Sequence, residues 1–306
     1  MNILFAGTPS NSAKILDHLA KIKTFNIKGV LTQPDKPNKR GRNLIESPVA
    51  VVARNLKLDV FKPRSLNSNE IIKVLSLLNI DFLIVIAYGE MIPSWLLKLP
   101  NILPINVHFS LLPKYRGASP IQSALLHGDI TSGITIIKMS ESLDAGDIIS
   151  SINVKIDSED NRLTLEKKLT NLCIKELPKI LSLIKSNQAV SRKQDHSSAT
   201  YCEKILKSDS IIDFKENSKD IINKFRAYFG WPGLSFIYKN INIKIHGIKQ
   251  SKIISKAEPG TIYELNKTGL YINTNDKVIV ITHLQFPNKK IISSNDAFNA
   301  YKDFFK

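Results

Sequence analysis

The chain is poor in cysteine and has no long apolar run. Cys173 and Cys202 are its two thiols. They are too few and too far apart for a zinc site, and two thiols in a chain of this size suit a reducing compartment. Apolar stretches such as residues 82–87 are strand-sized, well short of the roughly 18 residues of a membrane span. Residues 1–7 carry no basic leader and no long apolar core, so neither export nor organelle import is expected, and the expected location is cytoplasmic. The opening strand and turn lack the G-x-G-x-x-G of dinucleotide folds, which speaks against a nicotinamide cofactor. Residues 128–133 have the glycine spacing of a P-loop, but Ile134 and Thr135 follow where a phosphate-contacting lysine would stand. There is no H-E-x-x-H, no metal site is expected, and Ser119 lacks the flanking glycines of a nucleophile elbow.

What is present is 306 residues, 43% of them hydrophobic, enough for two domains with ordinary cores. Residues 2–6 read as a strand, and Ala13, Ile15, Leu16, Leu19 and Ile22 follow at helical spacing. Strands at 27–32, 59–63 and 82–87 alternate with helices at 49–56 and 68–78, the order of a parallel sheet covered on both faces. Leu165, Leu169, Leu172, Leu177, Ile180, Leu181 and Ile184 predict a helix over 164–185, with Pro178 expected to bend or break it. The polar tract 187–200 reads as a linker. Beyond it, a helix at 218–228 precedes short strands at 234–238, 241–248, 260–265, 269–273 and 278–285, a pattern that suggests a small barrel of the OB kind. The expected fold is α/β: a Rossmann-like, mostly parallel sheet over residues 1–189, a linker at 190–205, and a smaller OB-like β-barrel domain at 206–306.

Residues 105–110 alternate apolar and polar, the two-residue period of a strand with one covered face. Asn106, His108 and Ser110 then share a face, about 7 Å apart from one to the next. Pro113 closes the run, which places them at a strand's carboxyl end, where open α/β sheets bind ligands. The same pattern also fits an amphipathic edge strand with a solvated face. After a run carrying Pro113, Lys114, Arg116, Gly117 and Pro120, a β-branched strand at 133–139 leads to a loop holding Asp144 and Asp147. That loop can return a carboxylate to the first strand. Ser110 beside His108 could suggest a hydrolase, but nothing else supports an acyl-serine. Of the other histidines, His18 and His127 fall in helix-like runs, His196 in the linker, and His246 and His283 in the C-terminal strands; these are read as structural.

Net charge is +16, from 43 basic and 27 acidic residues, which attracts polyanions and above all nucleic acid. Residues 206–306 hold 16 basic and 9 acidic residues, a denser excess than the rest of the chain. Richness in Lys, Ile and Asn is a second, purely compositional source of this charge. Lys36, Lys39, Arg40 and Arg42 put four cations within seven residues of a loop whose Pro34, Pro37 and Gly41 forbid regular structure; such a loop can also be simply solvated.

Four linked motifs give these residues a common reading: Asn106-x-His108, the Ser110-Leu111-Leu112-Pro113 run, Tyr115-Arg116-Gly117-x-x-Pro120-Ile121, and Leu143-Asp144-x-Gly146-Asp147. Together they resemble the folate-dependent formyltransferases, and the resemblance extends from the opening Phe5-Ala6-Gly7-Thr8-Pro9 to the last residues. It implies formyl transfer from 10-formyltetrahydrofolate with Asn106, His108 and Asp144 as catalytic residues. It also implies a reduced-folate site shaped by Ser110, Leu111, Leu112 and Pro113 with Tyr88 and Gly89. The full-length form, with the insertion at 32–41, points to the branch that formylates charged initiator tRNA. There Lys36, Lys39, Arg40 and Arg42 would reach toward the acceptor stem and the C-terminal domain would bind tRNA, in a monomer with no membrane partner. Two departures stand out: Phe109 replaces the Gly or Pro common between His and Ser, and Phe229-Gly230 replaces the usual Asn-Pro of a later signature. Two alternatives remain open here: the same chemistry on a sugar nucleotide or glycinamide ribotide, against which the basic charge argues, and an RNA-binding protein without catalysis, against which the intact Asn106, His108 and Asp144 argue.

Overall fold

A computed structural model describes residues 1–37 and 44–306 of the chain, which divide into two compact units. The first comprises Met1–Pro120, Thr131–Lys155 and Glu166–Glu203, the second Ile121–Ile130, Ile156–Leu165 and Lys204–Lys306.

The first unit is built on a seven-stranded sheet of β1 (Asn2–Gly7), β2 (Asn26–Leu31), β5 (Val60–Phe61), β6 (Phe82–Ile86), β7 (Leu103–His108), β9 (Thr131–Lys138) and β10 (Ile148–Lys155). Two short ladders accompany it: β3 (Lys36–Pro37) with β4 (Leu44–Ile45), and β8 (Arg116–Gly117) with β11 (Tyr201–Cys202). The strand order is β10-β9-β7-β6-β1-β2-β5. From β7 to β5 every pairing is parallel, whereas β9 runs antiparallel to both β7 and β10. β6 reads Phe-Leu-Ile-Val-Ile and is buried throughout, as a central parallel strand covered on both faces must be.

Helices supply that cover. α1 (Ser10–Ala20) buries Ala13, Ile15, Leu16 and Leu19, and α3 (Asn69–Ser76) buries Ile71 and Leu75. α2 (Pro48–Asn55) starts where Ser47 Oγ accepts the Ala50 N–H at 3.0 Å and Pro48 occupies the first turn, both favourable at a helix start. The short α4 (Ser94–Leu97) buries Leu96. Sequence order reverses on either side of β1, and this switch point opens a crevice at the carboxyl ends of the strands. Its rim is pinned by Ser12 Oγ donating to the Ile86 carbonyl at 2.6 Å and Thr8 Oγ1 donating to the Tyr88 carbonyl at 2.8 Å.

Two expectations are corrected. The strand expected over 105–110 begins at Leu103 and ends at His108, and it is interior, paired with β6 and β9, so the solvated edge reading fails. Phe109 and Ser110 fall beyond it because the chain turns there: the Ser110 carbonyl is taken by Thr135 Oγ1 and its hydroxyl donates to the Lys114 carbonyl. The second correction concerns α6 (Arg162–Lys185), which runs through Pro178 as one helix. Leu169, Cys173, Leu177 and Leu181 are fully buried along it; an apolar stripe continuous across the proline outweighs the one backbone hydrogen bond that proline removes.

In the second unit a six-stranded antiparallel sheet follows the order β12 (Leu234–Tyr238), β13 (Ile241–Ile254), β16 (Lys277–Gln285), β15 (Gly269–Asn273), β14 (Ile262–Asn266), with β17 (Ile292–Ser293) on β16. The five expected strands are all present, with β13 six residues longer, β14 running over Ile262–Asn266 in place of 260–265, and β16 starting one residue earlier. Along β13, Ile243 and Ile245 are buried while Lys244 and His246 are exposed, a period-2 face. Three register shifts interrupt its pairing with β16; bulges of this kind increase twist and curl a small sheet toward a barrel. The helices are α5 (Pro120–Leu126), α7 (Ser218–Ala227) and α8 (Ser294–Tyr301). From α7, Arg226 donates to the Asp160 and Asp157 carbonyls at 2.7 and 2.9 Å, which ties the earlier segment 156–165 into this unit. Among the described residues no helix is long and apolar enough to cross a membrane.

Candidate active site

Strand geometry brings Asn106 and His108 to one face at the end of β7, opposite Ile137 and Thr135 of β9. The loop after β9 returns Asp144 to them. Its path depends on Gly146, where a Cβ would sit 1.8 Å from the Lys138 carbonyl oxygen; no other residue fits. Asp144 itself adopts a left-handed backbone, φ +49°, a conformation that Asp tolerates better than most residues. Its carboxylate accepts from Asn106 Nδ2 at 3.0 Å on Oδ1 and from the Gly117 N–H at 2.9 Å on Oδ2. Gly117 likewise admits only glycine, with φ +119° and a Cβ position 2.3 Å from the Cys202 carbonyl oxygen.

His108 Nδ1 lies 3.5 Å from Asp144 Oδ2, and the two side chains are 6% and 9% exposed. Its Nε2 stands 2.8 Å from the Tyr115 carbonyl oxygen. A carbonyl only accepts, so Nε2 carries a proton, and Nδ1 faces the carboxylate as the nitrogen free to take up another. Asn106 spends one amide hydrogen on Asp144 and keeps a second for a ligand. An amide donor, a proton-accepting imidazole and a carboxylate that would stabilise its cation therefore converge, a set able to assist acyl transfer without a covalent intermediate.

Ser110, Leu111, Leu112 and Pro113 follow directly. Ser110 is buried, Leu112 packs with Ile137 and Ile148, and the Leu112 N–H donates to Thr135 Oγ1 at 3.1 Å. Tyr88 and Gly89 follow β6, the neighbour of β7. The Tyr88 ring is a core side chain, packed with Leu4, Leu31 and Leu83, and burial, helped by Glu90, pushes its hydroxyl up to about 12. Gly89 has φ +87°. Lys36 is exposed on its short ladder and donates to Gln33 Oε1 at 2.7 Å; Lys39, Arg40 and Arg42 lie outside the described residues.

Sequence reading missed the supports behind Asp144. Arg116, only 2% exposed, donates to Gln194 Oε1 from Nε and Nη2, at 3.2 and 2.6 Å. Gln194 Nε2 in turn donates to the Asp144 and Gly146 carbonyls at 2.8 and 2.7 Å. The Tyr-Arg-Gly motif was a signal for Arg116. Gln194 sits in a polar tract without periodicity and gave none. His196, from the same tract, places Nδ1 3.1 Å from Arg116 Nη2, and His246 meets Gln285 at 3.0 Å.

The same arrangement of chain recurs in known proteins. Residues 1–181 match the family model described as formyl transferase, and residues 204–302 match that of the formyl transferase C-terminal domain. The methionyl-tRNA formyltransferase of Legionella pneumophila strain Corby is 38% identical over 302 residues, 99% of this chain and 96% of that protein. Those of Thermotoga maritima and Caldicellulosiruptor saccharolyticus are 39% and 41% identical, over 98% and 99% of this chain and 95% and 97% of theirs. Among solved structures, the sugar 3N-formyl transferase WlaRD superposes with a TM-score of 0.68 at 21% identity, covering 95% of this chain and 99% of its own. HypX from Aquifex aeolicus in complex with tetrahydrofolic acid superposes with a TM-score of 0.61 at 15% identity, over 97% of this chain and 46% of its own. Those two likenesses speak to the fold. Matched along almost its whole length by sequence, the chain belongs to the formyl transferase family, among its methionyl-tRNA formyltransferases.

Proposed function

We propose that the chain transfers the formyl group of 10-formyltetrahydrofolate to the free amino group of methionyl initiator tRNA, supplying formylmethionyl-tRNA for translation initiation. The observation that carries the reading is the meeting of Asn106, His108 and Asp144 at one strand end, with Asn106 Nδ2 3.0 Å and His108 Nδ1 3.5 Å from the same carboxylate. In this reading the methionyl amine attacks the formyl carbon and the carbonyl oxygen becomes an oxyanion, which the remaining Asn106 N–H stabilises. His108 takes the proton that the amine loses, Asp144 stabilises the resulting imidazolium, and the proton passes to N10 of the folate as the carbon–nitrogen bond breaks.

Ser110, Leu111, Leu112, Pro113, Tyr88 and Gly89 would line the folate site chiefly through main chain, since the Ser110, Leu112 and Tyr88 side chains are buried. Lys36, Lys39, Arg40 and Arg42 and the C-terminal domain, residues 206–306, would contact tRNA phosphates. The enzyme would act as a cytoplasmic monomer. Incubation with 10-formyltetrahydrofolate and charged initiator tRNA should yield formylmethionine on release of the amino acid. Formylation of a small amine or sugar nucleotide in place of the tRNA would overturn the substrate assignment.

A further inference from the structure

We infer that Gln194 is a positioning residue for the reaction, one that aims Asp144 at His108 and is itself held by the buried guanidinium of Arg116. The inference rests on the reading of Asn106, His108 and Asp144 as the reacting set. Asp144 has a left-handed backbone and belongs to a loop that must hold its carboxylate against β7. Two groups besides Asn106 fix that loop. The Gly117 N–H holds Oδ2, and Gln194 Nε2 bridges the carbonyls of Asp144 and Gly146, at 2.8 and 2.7 Å. With both amide hydrogens donated, Gln194 can only point its Oε1 the other way, where Arg116 meets it twice.

Arg116 and Gly117 are adjacent, so one short strand grips Asp144 by two routes, through main chain to the carboxylate and through Arg116 and Gln194 to the backbone. Arg116 is nearly without solvent, and the partners it meets here include no carboxylate: Gln194, His196, the Tyr201 hydroxyl at 3.4 Å and the Tyr201 ring, whose centroid is 5.9 Å away. A charge so placed polarises the Gln194 amide and strengthens its donation to the Asp144 loop. Removing Gln194 would release the peptide that carries the carboxylate and so let the carboxylate shift relative to the His108 ring whose charge it stabilises. A misplacement near 1 Å of a reacting group costs up to about 10²-fold in rate.

The test compares Gln194→Ala, Gln194→Glu, Asp144→Asn and the double variant Asp144→Asn/Gln194→Ala by single-turnover formylation across pH. Gln194→Glu keeps a partner for Arg116 but has no hydrogens for the two carbonyls, so it separates loop positioning from the pairing of Arg116. Both Gln194 variants should lose about 10- to 100-fold in rate, with folate affinity held within about twofold and the pH profile displaced. On the Asp144→Asn background the further loss should shrink to about twofold or less, since residues acting through one another are not additive. The inference is overturned if either Gln194 variant keeps its rate, if the rate falls with an unmoved pH profile, or if the full loss persists in the double variant. Should Asp144→Asn retain wild-type turnover, the reading of the site fails instead.

Discussion

Asn106 donates through Nδ2 to Asp144 Oδ1 at 3.0 Å, across 38 positions of chain. The contact uses one of the two amide hydrogens and fixes the direction of the other, so in the proposed mechanism the donor for the oxyanion is oriented before substrate arrives. Asn106→Ala and His108→Ala should each lower kcat by about 10²-fold or more, the scale of losing one oxyanion donor. Asp144→Asn should fold and bind folate while impairing proton handling. Steady-state kinetics with charged tRNA decides this, and near-wild-type turnover in either alanine variant would remove the mechanism.

Thr135 Oγ1 donates to the Ser110 carbonyl and accepts from the Leu112 N–H, at 2.7 and 3.1 Å, and Thr135 is fully buried. Thr135→Val keeps the shape and strands both backbone groups, at a cost of about 1–3 kcal/mol for each buried group left unpaired. Thermal unfolding should shift downward, and reduced folate should bind more weakly. Hydrogen exchange across 110–113 in the wild type should slow at saturating folate; unchanged exchange would place the folate pocket elsewhere.

Burial pushes the Cys173 thiol up to about 12 from an ordinary 9, and the Tyr88 hydroxyl up to about 12 from 10. The folded chain therefore holds both protonated where the unfolded chain has begun to lose them. The unfolded state then binds fewer protons, so this contribution to stability is complete below pH 9 and declines as pH rises toward 12. Denaturant midpoints measured between pH 8 and 11 should fall, and the fall should be shallower in a Cys173→Ala/Tyr88→Phe variant. A slope identical in the two proteins would refute the assignment.

Binding of tRNA through phosphates releases counterions, so affinity should drop by roughly 0.7 to 0.9 log units per tenfold salt for each phosphate neutralised. Arg40→Ala should weaken formylation of charged tRNA and leave folate binding intact. Replacing exposed Lys244 and Lys249 of β13 with Gln should flatten the salt slope by up to about two phosphate equivalents. If titrations at several salt concentrations gave all variants the wild-type slope, the basic charge would be compositional.

Residue pattern alone determined the order of elements. The buried run of β6, the alternation along β13 and the helical stripes of α1 and α6 are local periodicities, and they found their faces because apolar side chains must leave water wherever the chain runs. The linked motifs likewise marked Asn106, His108 and Asp144, and Gly117 and Gly146, where a side chain would strike backbone, lie inside those motifs. Tertiary structure decided the rest. The strand ends at His108 because Thr135, from a neighbouring strand, takes the Ser110 carbonyl; α6 passes Pro178 because burial continues on both sides of it. The proton on His108 is fixed at Nε2 by the Tyr115 carbonyl. Arg116 and Gln194 reach the back of Asp144 through contacts 78 and 50 positions apart in the chain. Such partnerships leave no period in a sequence, since hydrogen-bond geometry depends on where distant segments meet and not on the spacing of their residues.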